Sequence, residues 1–246
     1  YASSLSVLSE TEKELGVIMV DIGAGTTDIS IYTEGSVSYS SVLAIGARHI
    51  TNDLAIGLRI SLESAEKIKL FLSQNDGKRI IKPEVPSEDG KRKDAKTADE
   101  LDLSHLNLPE ELRKVSQKTL VDGIIRPRLN EIFTMIGLEI KKSGFGGQTP
   151  AGLVITGGGS LTVGVKDSAR RMLAMPVRVG MPNEMKGLID EIQSPSYASV
   201  IGLARYGAAT ASTEKTSAFG MKMPKVPGNS GKIIKKVLDI IKSFIP

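Results

Sequence analysis

The 246-residue sequence contains no cysteine and no tryptophan, and aromatic residues make up only 4% of it. Without cysteine the chain has no disulfide, no thiolate metal ligand and no thiol nucleophile, which is compatible with a reducing compartment. So few aromatic side chains argue against a stacking surface for single-stranded nucleic acid, and we expect no nucleic-acid partner. The two histidines, His49 and His105, are too far apart in sequence to predict a metal site or a catalytic dyad.

Long apolar segments are also missing. No uninterrupted apolar run approaches the roughly 20 residues that a helix needs to span a bilayer, and the first residues lack the pattern of a signal peptide. With 32 basic and 28 acidic residues, the net charge of +4 indicates no particular polyanionic partner. We therefore expect a cytosolic chain, and because it begins at Tyr1 without methionine, we expect a fragment.

The first part of the chain has the pattern of strands. An apolar run from Leu15 to Val20 ends at Asp21, and after a glycine-containing loop polar and apolar residues alternate from Thr27 to Tyr32. This pattern predicts a strand, a tight turn and a second strand. A turn at 34–36 leads into a third strand from Val37 to Leu43, which completes a meander.

Helical spacing follows. Apolar positions after Gly46 recur every three or four residues and predict two helices, the second beginning at Ser61, a favourable N-cap residue. The charged and proline-containing stretch 73–106 predicts a short hairpin or a polar surface excursion. A further helical pattern covers 110–142, and Pro127 should kink or split that helix because proline lacks a backbone donor.

The last third mixes short strands and helices. Leu153 to Ile155 is predicted as a buried strand, followed by a glycine motif, a helix to about Leu173 and a short strand at Val177–Val179. Small residues predict a helix over 196–211. Residues 210–231 contain proline, glycine, serine and lysine without periodicity and predict a flexible linker.

The loop Asp21-Ile22-Gly23-Ala24-Gly25-Thr26-Thr27-Asp28 is the first candidate site. Glycines let backbone N–H groups approach and surround a phosphate. Walker and Rossmann loops run from a strand into a helix, whereas a strand follows here, so the loop is a hairpin turn. The alternative is an ordinary glycine-rich hairpin without a ligand.

This arrangement resembles the phosphate hairpin of the actin, sugar-kinase and heat-shock chaperone ATPases. The resemblance implies that ATP and Mg²⁺ bind, with Asp21 holding the metal through water or orienting the attacking water. It also implies that the loop residues face the terminal phosphates, namely Gly23, Ala24, Gly25, Thr26 and Thr27. Ala24 stands where these families usually have glycine.

A second glycine motif, Thr156-Gly157-Gly158-Gly159-Ser160, follows a predicted strand about 135 residues after Asp21. It is similar to the adenosine motif of the same superfamily, which implies that Gly157, Gly158, Gly159 and Ser160 contact the nucleotide. Glu66 and Lys69 share a helix face between the two motifs. The resemblance implies contacts with ribose and adenine, and the alternative is a solvated ion pair.

Several segments are similar to the FtsA family of bacterial cell-division proteins, over roughly 2–209 with a departure near 84–105. They are Ala2-Ser3-Ser4, Glu12 to Val17, Ala65 to Lys69, Ile125 to Ile132, Ile155 to Gly159 and Pro195 to Leu203. The resemblance implies an α/β, actin-like (ribonuclease H-like) ATPase fold with a mixed sheet flanked by helices and an inserted smaller α+β subdomain. We expect a discontinuous nucleotide-binding subdomain at 1–50 and 150–209, with the insertion at 51–149.

The FtsA resemblance implies a filament-forming protein that ties the FtsZ ring to the cytoplasmic face of the membrane at the division site, together with other division proteins. A further phosphate loop would come from the other half of such a protein, so we expect at most weak ATPase activity. Arg126, Arg128 and Asn130 fall in the region implied to receive the FtsZ C-terminal tail. A solvated surface is the alternative.

Residues 232–246 have the pattern of an amphipathic helix. At ~100° per residue the apolar side chains fall within an arc of roughly 160°, opposite the charged ones. The apolar face comprises Ile233, Ile234, Val237, Leu238, Ile240, Ile241, Phe244 and Ile245, and the other face Lys232, Lys235, Lys236, Asp239 and Lys242. The pattern predicts a helix that lies on anionic membrane lipids, and docking on protein is the alternative.

Two other functions use the same glycine motifs. A sugar or acetate kinase would need a substrate pocket and an acidic base from another domain, and a lipid-binding tail would serve no purpose there. A pilus-assembly or chaperone-like ATPase is the remaining alternative. The amphipathic tail favours the cell-division function over both.

Overall fold

The computed structural model describes residues 1–74, 99–182 and 192–217, with side chains to residue 211. In this part of the chain the helices are α1 (Ala2–Val7), α2 (Glu10–Leu15), α3 (Ala47–Leu58), α4 (Leu62–Gln74), α5 (Arg126–Ser143), α6 (Val165–Leu173) and α7 (Ala198–Ser217). The strands are β1 (Val17–Ile22), β2 (Thr27–Thr33), β3 (Ser36–Leu43), β4 (Glu100–Asp102), β5 (Lys114–Ser116), β6 (Leu153–Thr156) and β7 (Val177–Val179).

Five strands form one mixed sheet in the order β3-β2-β1-β6-β7. The predicted meander is confirmed, since β1, β2 and β3 pair antiparallel in sequence order. β6 pairs parallel with β1, and β7 pairs parallel with β6. The carboxyl ends of β1 and β6 therefore lie side by side, and each is followed by one of the two glycine motifs.

The start of the first predicted strand was wrong. Leu15 ends α2, and β1 begins only at Val17. Between them Gly16 has φ +93°, and a Cβ there would lie 2.0 Å from the carbonyl oxygen of Gln148. Because only glycine fits this turn, the apolar run is divided between a helix end and a strand.

Helices cover both faces of the sheet, so the sheet is the middle layer of three. On one face Ile18, Val20 and Ile31 pack against the buried sides of α3, α4 and α5. On the other, Val17 and Met19 pack with α1 and the start of α7. This alternation follows the period of two that places successive strand side chains on opposite faces.

The two helices predicted after Gly46 are confirmed as α3 and α4. α3 ends at Arg59, which has a left-handed conformation with φ +56°. The predicted cap at Ser61 is present, because its Oγ accepts a hydrogen bond from the backbone N–H of Ser64 at 3.2 Å. Residues 75–98 of the predicted polar excursion 73–106 lie outside the described residues. Near the end of that stretch, β4 pairs antiparallel with β5.

The helix predicted over 110–142 was wrong at its start, because Lys114–Ser116 form β5, and near Pro127 the helix changes type without being split. Residues Thr119–Ile125 form a π-helical segment, and the regular helix α5 begins at Arg126 with the proline in its first turn. Ile125 and Arg126 both have helical backbone angles, and the Arg126 N–H donates to the Val121 carbonyl, so the chain passes directly from one helix type to the other. The wider turns of the π-helical segment before Pro127 accommodate the proline.

The strand predicted at Val177–Val179 and the helix ending at Leu173 are confirmed as β7 and α6. The linker predicted to begin at residue 210 was wrong for its first part, because α7 continues to Ser217. Alanines and other small residues sustain a helix there without an apolar period, which the sequence pattern did not detect. The remaining linker and the predicted amphipathic helix 232–246 lie outside the described residues.

Residues Tyr1–Tyr206 form one compact unit, and Gly207–Pro246 are grouped separately. The expected division into 1–50 with 150–209 and an insertion at 51–149 stays a prediction. No helix within the described ranges is both long and apolar enough to cross a bilayer.

Candidate functional site

The loop between β1 and β2 is a tight hairpin docked on helix α3. Its base is closed by the Gly23 N–H, which donates to the Thr26 carbonyl at 2.9 Å. The carbonyls of Gly23 and Ala24 accept hydrogen bonds from the backbone N–H groups of Ala47 and Arg48 at 2.9 and 2.8 Å. The first turn of α3 thus holds the loop by its oxygen atoms.

This arrangement leaves three backbone N–H groups without an acceptor, those of Ala24, Gly25 and Thr26. None of them donates to another residue in the described part of the chain, and all three residues are exposed. A loop whose carbonyls are bound and whose N–H groups are free is suited to an anion. The methyl group of Ala24 is exposed and so does not disturb the loop.

Thr27 has a different position from the rest of the loop. It is fully buried in β2, and its Oγ1 donates to the Ile45 carbonyl at 2.7 Å. The structure therefore places the Thr27 hydroxyl in the packing of the loop's base, away from the exposed N–H groups. The Thr27 side chain is therefore not placed as expected for a residue that faces phosphates.

The second glycine motif packs directly against the end of β1. Gly157 has φ +82°, and a Cβ there would lie 2.3 Å from Asp21 Oδ1 and 2.6 Å from the Ile22 carbonyl oxygen. A Cβ at Gly159 would lie 2.4 Å from the Ile22 side chain. Ser160 Oγ donates back to the Gly157 carbonyl at 2.7 Å. These contacts lock the two motifs together.

Asp21 is the second-last residue of β1 and is half-buried. Its Oδ2 accepts a hydrogen bond from Ser199 Oγ, in the first turn of α7, at 2.8 Å. Sequence reasoning did not find Ser199, because 178 positions separate it from Asp21 and no local pattern connects them.

Glu66 and Lys69 form a partly buried network with Thr51 of α3. Lys69 Nζ lies 2.7 Å from Glu66 Oε2, donates to Thr51 Oγ1 at 2.9 Å and has only 7% of its surface exposed. Thr51 Oγ1 donates to Glu66 Oε2 at 2.5 Å. Burial raises the pKa of Glu66, but the hydrogen bonds from Lys69 and Thr51 outweigh it and the net pKa is lowered. A fully solvated ion pair does not describe this geometry.

One cleft of about 650 Å³ brings most of the predicted site together. Its lining includes Gly23 and Ala24 of the hairpin, Gly158 and Gly159 of the second motif, and the Glu66–Lys69 pair. The volume lies within the range of ~300–1,000 Å³ typical of small-ligand pockets. Arg48, Thr51 and Ser196 also line it and were not predicted.

The lining of the cleft has two features that would suit a nucleotide. Gly158 faces it without a side chain, and a Cβ there would meet only Ser196 Oγ at 3.5 Å, so the protein itself does not require glycine. Of the hairpin, Gly23 and Ala24 line the cleft, and Gly25 and Thr26 do not. The Ala24 N–H has no partner among the described residues and suits a phosphate oxygen. No group of three or more histidine, aspartate or glutamate side chains that could hold a metal occurs among the described residues.

The histidines have structural or surface positions, as expected. His49 Nδ1 lies 3.1 Å from the Gly46 nitrogen, from which it accepts a hydrogen bond at the start of α3. His105 is exposed and packs on Phe71, with ring centroids 4.5 Å apart.

Two of the three predicted partner residues on α5, Arg126 and Arg128, form ion pairs within the chain. Arg128 makes a bidentate pair with Asp53 of α3, at 2.6 and 2.8 Å, which raises the pKa of the guanidinium. Arg126 pairs with Asp122 at 2.6 Å. The buried Oδ1 of Asn130 has no hydrogen-bond partner among the residues that the structure describes. An acidic peptide would therefore compete with Asp53 for Arg128.

A family model described as "Cell division protein FtsA" matches residues 18–202. The chain belongs to the FtsA family. Among curated FtsA proteins it is 36% identical to that of Pseudomonas aeruginosa, over 92% of this chain and 51% of the relative. It is 38% identical to FtsA of Neisseria meningitidis, over 82% of this chain and 45% of the relative. The chain thus spans about half the length of the FtsA proteins that it matches.

Solved structures show the actin-like fold that the FtsA resemblance implied. MreB5 of Spiroplasma citri bound to AMPPNP aligns with TM-score 0.59 at 15% identity, over 88% of this chain and 60% of that one. A chain of the PilM–PilN type IV pilus biogenesis complex also aligns, with TM-score 0.54 at 17% identity over 80% of this chain and 47% of the other. The fold prediction, a mixed α/β sheet flanked by helices, is confirmed.

Proposed function

We propose that this FtsA-family chain binds ATP with Mg²⁺ in the cleft between the β1–β2 hairpin and the second glycine motif. The observation that carries the proposal is the convergence of both motifs with Glu66 and Lys69 on one cleft. The hairpin N–H groups hold the terminal phosphates, and Gly158 lets the adenosine pass close to the backbone. Glu66 and Lys69 offer one acceptor and one donor for ribose and adenine.

Asp21 is the residue that we assign to the metal side of the site. When bound, Mg²⁺ neutralises phosphate charge, and a carboxylate at the end of β1 holds its water shell or orients an attacking water. FtsA proteins are about twice as long as the matched chain, and we assign the remaining phosphate contacts to their other half. By itself this chain should bind ATP weakly and hydrolyse it negligibly.

Nucleotide binding is tested by titrating the purified chain with a fluorescent ATP analogue in magnesium. Gly158→Val fills the cleft and should abolish binding, whereas Gly147→Ala, at a glycine whose Cβ would have nothing within 4 Å, is the matched control. If Gly158→Val bound the analogue as tightly as the parent, the result would contradict the assignment of the nucleotide site to this cleft. Measurable ATP turnover that disappears in Asp21→Ala would contradict the proposal that the chain alone is nearly inactive.

We further propose that the chain attaches to the cytoplasmic face of the membrane through residues 232–246. The segregation of isoleucines from lysines in this segment supports it, since each lysine near an anionic surface contributes about 1 kcal/mol. Flotation with anionic liposomes tests the proposal, and Ile241→Glu should remain in the soluble fraction. Lys242→Glu should float less well, and neutral liposomes should bind little of the parent.

The remaining proposal concerns partners: self-association into filaments, and a tether for the FtsZ ring at the division site. Family membership supports both. The chain should carry FtsZ down with liposomes, and FtsZ left in the supernatant would argue for another role. Arg128→Asp combined with Asp53→Arg keeps the internal ion pair while moving the cation, so weaker FtsZ-tail binding by this double variant would implicate position 128.

A further inference from the structure

The hydrogen bond between Ser199 and Asp21 connects the first turn of α7 to the end of β1. The Oγ–Oδ2 distance is 2.8 Å, and both side chains are only half-buried. A charged acceptor makes such a bond about twice as strong as a neutral one. The bond therefore sets the orientation of the carboxylate that precedes the phosphate hairpin.

The other carboxylate oxygen is confined as well. Gly157 approaches Oδ1 so closely that a Cβ would lie 2.3 Å from it. Asp21 thus lies between backbone on one side and the Ser199 hydroxyl on the other, and its side chain has little freedom to turn. A carboxylate offers about four lone-pair positions, so one bond from Ser199 leaves others for metal-bound water.

Ser199 is itself anchored independently of the nucleotide cleft. A Cβ at Gly202 would lie 1.7 Å from the Ala2 carbonyl oxygen, which shows how closely α7 packs on α1. Ser6 Oγ donates to the Ala198 carbonyl at 2.7 Å, and Arg205 Nη1 donates to the Leu5 carbonyl at 3.0 Å. The donor to Asp21 is therefore held by a helix pair outside the cleft.

We propose that Ser199 is a positioning residue for the magnesium–nucleotide complex: it orients Asp21 toward the metal's water shell and makes α7 a structural support of the site. The inference rests on the proposed ATP site and adds a residue of α7 to it. Ser199 acts through Asp21 and does not contact the nucleotide. Removing it should therefore weaken the contribution of magnesium while leaving metal-free nucleotide binding unchanged.

The test compares the affinity for a fluorescent ATP analogue in magnesium and in EDTA, for the parent, Ser199→Ala and Ser199→Thr. Loss of a group that orients a metal ligand typically costs about 10- to 100-fold in metal affinity. We expect Ser199→Ala to lose about tenfold of the magnesium-dependent gain and to match the parent in EDTA. Ser199→Thr keeps the hydroxyl and should retain the gain. Val200→Ala, at an exposed neighbouring position, is the control.

The outcomes separate the two proposals. A parent chain without any nucleotide affinity would overturn the ATP site, and the role of Ser199 with it. If magnesium raises the nucleotide affinity of the parent and of Ser199→Ala by the same factor, only the positioning role of Ser199 is overturned. Equal losses in EDTA and magnesium would also overturn it, because they would indicate a general structural defect.

Discussion

At the scale of residues, three consecutive glycines occupy three different environments. Gly157 combines φ +82° with close contacts to Asp21 and Ile22, and Gly159 packs on the Ile22 side chain. Gly158 has ordinary space around it and lines the cleft. Two of the glycines are therefore required by the packing of the protein, and one is available to a ligand.

Two single substitutions should distinguish a glycine that the packing requires from one that it does not. Gly157→Ala should lower the free energy of unfolding by about 2 kcal/mol or more, since it adds a strained φ and a steric conflict. Gly158→Ala should change it by less than about 0.5 kcal/mol, as is usual for open positions. Urea denaturation measures both. Similar losses of stability in the two variants would contradict the assignment.

At the scale of elements, the N-terminus of helix α4 is capped by the carboxylate of Glu110, a residue outside the helix. Glu110 accepts hydrogen bonds from the Ser61 N–H at 2.8 Å and from the Ser64 hydroxyl at 2.7 Å. These bonds, the one from the Ser61 backbone first, lower the pKa of Glu110 from 4.5 to about 2. A negative charge is also favourable at the N-terminus of a helix.

This contact should produce a pH dependence of stability. Because the pKa of Glu110 is lower in the folded state, its contribution is fully present above pH 4.5 and is lost as the pH falls toward 2. Glu110→Gln should therefore be less stable than the parent at pH 7 and lose less stability on acidification. Urea denaturation at several pH values measures this. Glu63→Gln on the same helix is the control, and identical acid profiles for Glu110→Gln and the parent would contradict the prediction.

The sequence predicted these elements where their signals were local. The alternation in β2 and the Ser61 cap each depend on residues a few positions apart, and the structure has both. Helix α1 was missed because six residues are too few to display a helical period. The α4–Glu110 contact was missed because its partners are 46 and 49 positions apart.

The residues of the candidate site were likewise predicted only where their sequence signals are local. The glycine motifs and the Glu66–Lys69 pair are visible in sequence, because glycines and an i, i+3 pair are local signals. Thr51, Arg48 and Ser199 reach the site through the packing of α3 and α7, which no periodicity reveals.

At the scale of the whole compact unit, α1 and α7 bring together the two ends of Tyr1–Tyr206. Gly202 is the contact point, since a Cβ would lie 1.7 Å from the Ala2 carbonyl oxygen. The helix pair covers one face of the sheet over Val17 and Met19. Stability of the unit should therefore depend on a glycine in a helix that otherwise favours alanine.

Matched substitutions along α7 test this dependence. Gly202→Ala should lower the free energy of unfolding by about 1–3 kcal/mol, because the helices must separate. Gly207→Ala, whose Cβ would meet nothing within 4 Å, should be neutral or raise it by up to about 1 kcal/mol through helix propensity. Thermal unfolding of both variants measures the difference, and a stabilising effect at both positions would contradict the close packing of α1 on α7.

The strand order also has a kinetic consequence. β1, β2 and β3 are neighbours in sequence and can pair early, whereas β6 must find β1 across more than a hundred residues, with Val20 opposite Ile155. Closing so long a loop is slow because its entropy is lost before the contacts form. Pulse-labelled hydrogen exchange during refolding should protect the amides of 27–43 before those of 153–156. During synthesis, the β1–β2 hairpin would then be folded well before the second glycine motif joins it.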